Sequence, residues 1–191
     1  MSANPMTAAG LFVYKSLFFG ISKEKLLNLS EYLVMTEPDS ELIGICQQMA
    51  ESAEAVEIEY NQLCVGPYRL AAPPYESVYR GESREIFTKI TEQVEAHYQS
   101  LGLMADRASG EPADFIGNEL EYLFVLHCKY LQENSDKADI TNKINGFIAI
   151  HLSQWYEAFL NDIYSNTSMP FWKLFSEHLG LFIKAQMPVK D

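Results

Sequence analysis

Four histidines (His97, His127, His151 and His178), three cysteines (Cys46, Cys64 and Cys128) and a surplus of carboxylates could hold a metal, attack a substrate or move a proton in this chain. Their spacing argues against each use. A carboxylate-bridged di-iron centre in a helical bundle needs Glu-x-x-His on two helices, so that both ligands project inward one turn apart. That pattern is absent from the sequence. The cysteines are far apart with no CxxC pair, which suits buried structural thiols rather than a zinc site or a disulfide framework. His127 and His151 fall on apolar helical faces, where a hydrogen-bonded core histidine is the expected role. No phosphate-cradling glycine loop, dinucleotide fingerprint or nucleophile elbow occurs. No catalytic residue, metal or cofactor is expected, and the chain reads as a binding protein rather than an enzyme.

The most distinctive stretch is Cys64 to Ser83, CVGPYRLAAPPYESVYRGES, which collects three prolines and three tyrosines where neither helix nor strand would want them. Pro67, Pro73 and Pro74 fix φ and remove backbone donors, which stiffens the segment. Leu63, Tyr68, Leu70, Tyr75 and Tyr79 then present apolar or amphipathic area from a backbone with little entropy left to lose. Such a surface suits an extended or helical peptide, because rigid anchors lower the ordering cost of association. The same rings would serve equally as a lid on the protein's own core.

The elements that must position this stretch read as helices. From Thr7 to Gly20 the residues Leu11, Tyr14, Leu17 and Phe18 recur at helical spacing, and Ser22 can cap a second helix with Leu26, Leu29, Leu33 and Val34 as its stripe. Pro38 suits the first turn of a third helix that runs with its apolar face through Leu42, Ile45, Met49, Val56, Tyr60 and Leu63 to Gly66. Periodicity resumes with Ile86, Ile90, Val94 and Tyr98, and again from Glu111–Pro112 with Ile116, Leu120, Leu123, His127 and Leu131. A long segment carries Ile144, Phe147, Ile148, His151, Leu152, Trp155, Phe159 and Ile163, and Pro170 opens a last helix with Phe171, Leu174, Phe175, Leu179 and Phe182. No run alternates with the period of a strand. The expectation is an all-α bundle of about six or seven helices in one domain over residues 1–191.

Composition sets the outer bounds. Fourteen Lys and Arg against 26 Asp and Glu give a net charge of −12, which opposes nucleic acid as a partner, since phosphate contacts draw on basic side chains. The early run LFVYKSLFFG is interrupted by Lys15 and falls short of the roughly 18 apolar residues of a membrane span. A cytoplasmic protein without stable membrane insertion is expected.

Three ordered blocks carry a family resemblance: YNQLCVGPYRLAAPPYESVY from Tyr60, EPADFIGNEL from Glu111, and HLSQWYEAFLNDIYSNTSMPFWKLFSEHLGLF from His151. Together they resemble the TorD/DmsD family of cytoplasmic chaperones that serve molybdenum-containing redox enzymes. The resemblance implies a partner in the twin-arginine leader and apo form of such an enzyme, held until its cofactor has been inserted. It also implies that Tyr68, Leu70, Pro74, Tyr75, Tyr79, Asp114 and Phe115 lie at or near the leader groove. There the rings and Leu70 would bury the leader's apolar half, while Asp114, helped by Glu76 or Glu119, would accept guanidinium hydrogen bonds. Phe115 stands where the family pattern has histidine, and the tyrosines stand where some members carry tryptophan. Other members imply alternatives: assembly of membrane-bound nitrate reductase, a guanine-nucleotide-dependent factor, and a monomer or a domain-swapped dimer.

Overall fold

A computed structural model describes residues 4–67, 69–81, 84–103 and 110–188. The chain opens with α1 (Pro5–Phe18) and α2 (Lys23–Thr36), the first capped by Asn4 and the second by Ser22, whose side chain accepts from Lys25 N–H. Then come α3 (Glu41–Met49), a 3₁₀ turn, α4 (Ala53–Tyr60) and a π turn over Asn61–Val65 that stops at Gly66, where φ is 103°, a value side chains with a Cβ rarely adopt. The proline-rich stretch contains the short α5 (Glu76–Arg80), and α6 (Lys89–Ser100) follows behind a capping box at Thr88 and Thr91. The second half comprises α7 (Ile116–Tyr130), α8 (Lys137–Ile150), a 3₁₀ turn at Leu152–Gln154, α9 (Tyr156–Asn166) and α10 (Pro170–Ala185).

The all-helical expectation holds, with finer segmentation than about six or seven helices. The third predicted helix is interrupted by the 3₁₀ and π turns, and the long segment after Ile144 breaks at His151, because local tightening shifts the chain's direction without erasing its apolar period. Pro38 lies in the turn before α3, which Ser40 caps. Among the described residues the β-type pairing is one isolated bridge, between Tyr75 and Phe115.

α1 packs on α2 and α7, α3 on α2 and α10, α7 on α8, and α9 on α10. The rings of Tyr14, Phe18, Tyr60, Phe159, Phe171, Trp172 and Phe175 form one aromatic centre, with Tyr60 stacked on Trp172 at 5.5 Å. Trp172 Nε1 donates to Val56 O at 3.1 Å, so this ring is buried with its polar atom satisfied. Among the described residues, no helix is long and apolar enough to cross a membrane. Cys46 and Cys64 are buried, as expected of structural thiols, whereas Cys128 is only half-buried.

Candidate binding site

The three sequence blocks meet in space. The helix expected from Glu111–Pro112 does not start there: residues 112–115 form a turn closed by Phe115 N–H donating to Pro112 O at 3.1 Å, Phe115 bridges antiparallel to Tyr75, and α7 begins only at Ile116. Glu76 N–H donates to Asp114 O and Ile116 N–H to Pro74 O, both at 3.0 Å. Tyr98 Oη donates to Ala113 O, and Asn118 Nδ2 to Pro112 O, each at 2.8 Å. Every carbonyl from Pro112 to Asp114 thus has a named donor, which allows an irregular segment to be buried. Gly117 completes the joint: a Cβ there would come within 2.6 Å of the Phe115 ring and 2.9 Å of Phe19.

Beneath this joint lie three fully buried carboxyl groups, Glu76, Asp114 and Glu119. Asp114 Oδ2 accepts from Ser77 N–H at 2.8 Å, so Asp114 caps α5 rather than its own helix. Its Oδ1 is buried without a hydrogen-bond partner. Glu76 receives His151 Nδ1 at 2.9 Å and forms an ion pair with Arg80, whose Nη1 also donates to Ile150 O at 2.9 Å. Glu119 accepts from Trp155 Nε1 at 3.2 Å. Burial, and then the negative charge of Glu76, push the Glu119 pKa well above the usual carboxylate range. Protonated, Glu119 can donate to Glu76, which resolves the otherwise unpartnered Oε1. His97 packs edge-on against His151 at 5.1 Å, and burial lowers its pKa.

The tyrosines lie over this polar knot. Tyr75, half-buried, tilts against Phe115 and donates to Glu111 Oε2 at 2.9 Å. Tyr79, also half-buried, packs on Trp155 at 5.7 Å and donates to Asp162 Oδ2 at 3.0 Å. Burial and the facing carboxylates push both phenols above their ordinary range. Glu111 belongs at the same time to the wall of a groove of about 880 Å³ lined by Phe18, Phe19, Tyr60, Val65, Tyr98 and Tyr122, with Glu57 and Glu121 as further carboxylates and Lys15 and Lys25 as cations. Its volume lies within the range of small-ligand and side-chain pockets. Lys15 pairs with Glu121, and Lys25 Nζ donates to the carbonyls of Phe19 and Gly20 at 3.1 and 2.6 Å.

Of the residues singled out in the sequence, Leu70, Tyr75 and Tyr79 are partly accessible, while Pro74, Asp114 and Phe115 are buried beneath them. Tyr68 lies outside the described residues. Tyr75 and Tyr79 cover the core with one side, as a lid would, and leave the other side accessible. Sequence reasoning missed Arg80, although its i,i+4 spacing from Glu76 was a readable signal. It also missed the groove rings contributed by α1, α4, α6 and α7, which look like ordinary core positions in the sequence.

Residues 22–161 match the family model described as nitrate reductase delta subunit. The chain is 26% identical over 122 residues to the Tat proofreading chaperone DmsD of Salmonella typhimurium, covering 64% of this chain and 55% of that protein. It is 28% identical over 103 residues to the chaperone protein TorD of Vibrio parahaemolyticus, covering 53% of this chain and 48% of that one. The match thus spans about half the length of these curated relatives. The fold is shared with a protein from Archaeoglobus fulgidus named as a redox enzyme maturation protein, at a TM-score of 0.61 and 19% identity over 97% of this chain and 95% of that one.

Proposed function

Because this chain belongs to the nitrate reductase delta subunit family, we propose that it is a cytoplasmic, non-catalytic chaperone that binds the twin-arginine leader of a molybdenum-containing oxidoreductase and holds the apo form back until its cofactor is in place. The observation that carries this reading is the convergence of the three sequence blocks under one tyrosine-bearing surface that is continuous, through Glu111, with the aromatic groove. A leader of this kind is cationic in one part and apolar in the next. The groove rings suit the apolar part, and the carboxylates of Glu57, Glu111 and Glu121 suit the cationic part. Leu70, Tyr75 and Tyr79 make the direct contacts, whereas Pro74, Asp114 and Phe115 hold the joint beneath them. Tyr68 is assigned to the same surface from the sequence block alone. The whole chain acts as one domain.

Calorimetric titration with a twin-arginine leader peptide, beside a copy with both arginines replaced by alanine, tests the proposal. Micromolar binding of the first and clear loss with the second is the expected result; equal binding, or none, sinks it. Tyr75→Ala is expected to weaken leader binding by roughly 2 kcal/mol, the scale of a hot-spot residue. The family description, nitrate reductase delta subunit, suggests a second reading, in which the client is a nitrate reductase recognised through a segment other than an export leader. Binding of the apo-enzyme but not of the leader would select that reading.

A further inference from the structure

Arg80 occupies an unusual position for a half-exposed cation. It ends the five-residue α5, its side chain is 29% exposed, and its guanidinium reaches inward to the fully buried carboxylate of Glu76. The same Nη1 donates to Ile150 O at 2.9 Å. Ile150 is the last residue of the 14-residue α8, so this carbonyl lies at the negative end of a helix dipole. A carboxylate and a helix C-terminal carbonyl therefore converge on one guanidinium. Their surroundings are rich in acid: Glu119 adjoins Glu76, and Asp114 Oδ1 is buried without a hydrogen-bond partner. Arg80 is also easy to withdraw. It projects from the surface end of a one-turn helix that stops at Gly81, and moving its side chain outward breaks no backbone hydrogen bond.

We propose that Glu76 and the Ile150 carbonyl form a guanidinium slot in which Arg80 is an internal stand-in, displaced when an arginine of the client segment enters. The proposal rests on the leader-binding reading above and deepens it by assigning the subsite for one leader arginine. α5 covers only about 7.5 Å from end to end, so a peptide lying along Tyr75 and Tyr79 reaches this slot while its apolar part remains near the groove. An internal competitor weakens every arginine-bearing ligand, and removing it should have the opposite effect from removing an ordinary contact.

Two readouts test this. In titrations with the twin-arginine peptide, Arg80→Ala should bind about tenfold more tightly than the wild type, the scale of one charge-assisted hydrogen bond. Its affinity for the double-alanine peptide should not change. Arg84→Ala, which removes the same charge nearby, should leave both affinities unaltered. Independently of any leader, low-millimolar ethylguanidinium should raise the melting temperature of Arg80→Ala more than that of the wild type, and more than ethylammonium does. Arg80→Met, which keeps an apolar stem over Glu76, replaces Arg80→Ala if the latter does not fold. Wild-type leader binding with unchanged or weakened binding by the Arg80 variant overturns the slot and leaves the chaperone reading intact. Absence of leader binding by every variant overturns that reading, and the leader's place in the slot with it.

Discussion

The aromatic centre and the polar knot are both built mainly from buried side chains far apart in sequence, yet they are held by different forces. Around Trp172 the contacts are ring on ring; the Trp172 indole finds a backbone carbonyl, while the Tyr14 hydroxyl is buried without a hydrogen-bond partner. Around Glu76, three buried carboxyls and the buried His151 are joined by the half-buried His97 and, from the surface, by Arg80, beside Trp155 and Tyr79. Packing of the first kind has no group that ionises near neutral pH, and it responds instead to changes of volume and shape. Desolvated charges of the second kind depend on complete partnering, and removing one member leaves the others exposed to a low-dielectric surrounding. The comparison teaches that one domain can draw stability of similar size from ring packing in one place and from partnered charges in another.

The largest effects should come from truncating either region. Trp172→Ala removes a fully buried ring and should lower stability by about 3–5 kcal/mol in urea unfolding, with no change in the shape of the pH profile. Glu76→Ala should lower it on a similar scale, about 3–5 kcal/mol, because Arg80 and His151 both lose their counter-group. The two should differ in kind: Glu76 helps to raise the Glu119 pKa, so without it Glu119 loses less stability on ionising, and the loss in Glu76→Ala should shrink as pH rises; a pH-independent loss would erase the distinction drawn above.

Next in size is the acid limb. His127 is buried near the end of α7, and desolvation holds its pKa down, from the usual 6.5 to about 4. The folded value lies below the unfolded one, so between those values the unfolded chain binds more protons and stability falls as pH drops. The loss across the window should be on the order of 3 kcal/mol. A His127→Phe variant that kept the same acid limb as the wild type would show that the loss lies elsewhere.

The aromatic centre was the more legible region from sequence. Tyr14, Phe18, Phe159, Phe171 and Phe175 all lie on the predicted apolar stripes, and all are buried. Periodicity over-reached only at the ends of elements, as at Val34, Ile86 and Leu131, which are exposed. The knot was legible in membership but not in wiring. Asp114, Glu76 and Glu119 are singled out together by the family blocks, but an acceptor for guanidinium is a different role from a cap on α5, 37 residues away in sequence. Pairings such as Glu76 with His151, separated by 75 residues, leave no trace in a local period. The turn at residues 112–115 looks like a helix start in the sequence, because a proline followed by an acidic residue looks the same whether the acid serves its own helix or another.

Within the knot, Glu119 offers a test of opposite sign. Its folded pKa is raised by burial and by Glu76, so the folded protein holds a proton that the unfolded chain gives up, and stability falls as pH rises above the ordinary carboxylate range. Glu119→Gln keeps an oxygen for Trp155 Nε1 and supplies an N–H toward Glu76. It should match the wild type to within about 1 kcal/mol near pH 6 and exceed it at pH 9. An unchanged alkaline limb would mean that Glu119 is ionised in the folded state.

The smallest effect concerns the cap. Asp114→Ala removes the acceptor for Ser77 N–H and should lower stability by about 1 kcal/mol, and Asp114→Asn, which retains an acceptor, by less. The two regions separate most clearly here. A cap on so short a helix contributes little to global stability, yet α5 carries Tyr79 and Arg80 and fixes their direction. Hydrogen exchange at the α5 amides should therefore accelerate in Asp114→Ala while the amides of α10 stay protected. If both regions loosened together, Asp114 would be supporting the whole bundle, and the polar knot could not be treated as a locally tuned surface on an independently stable aromatic centre.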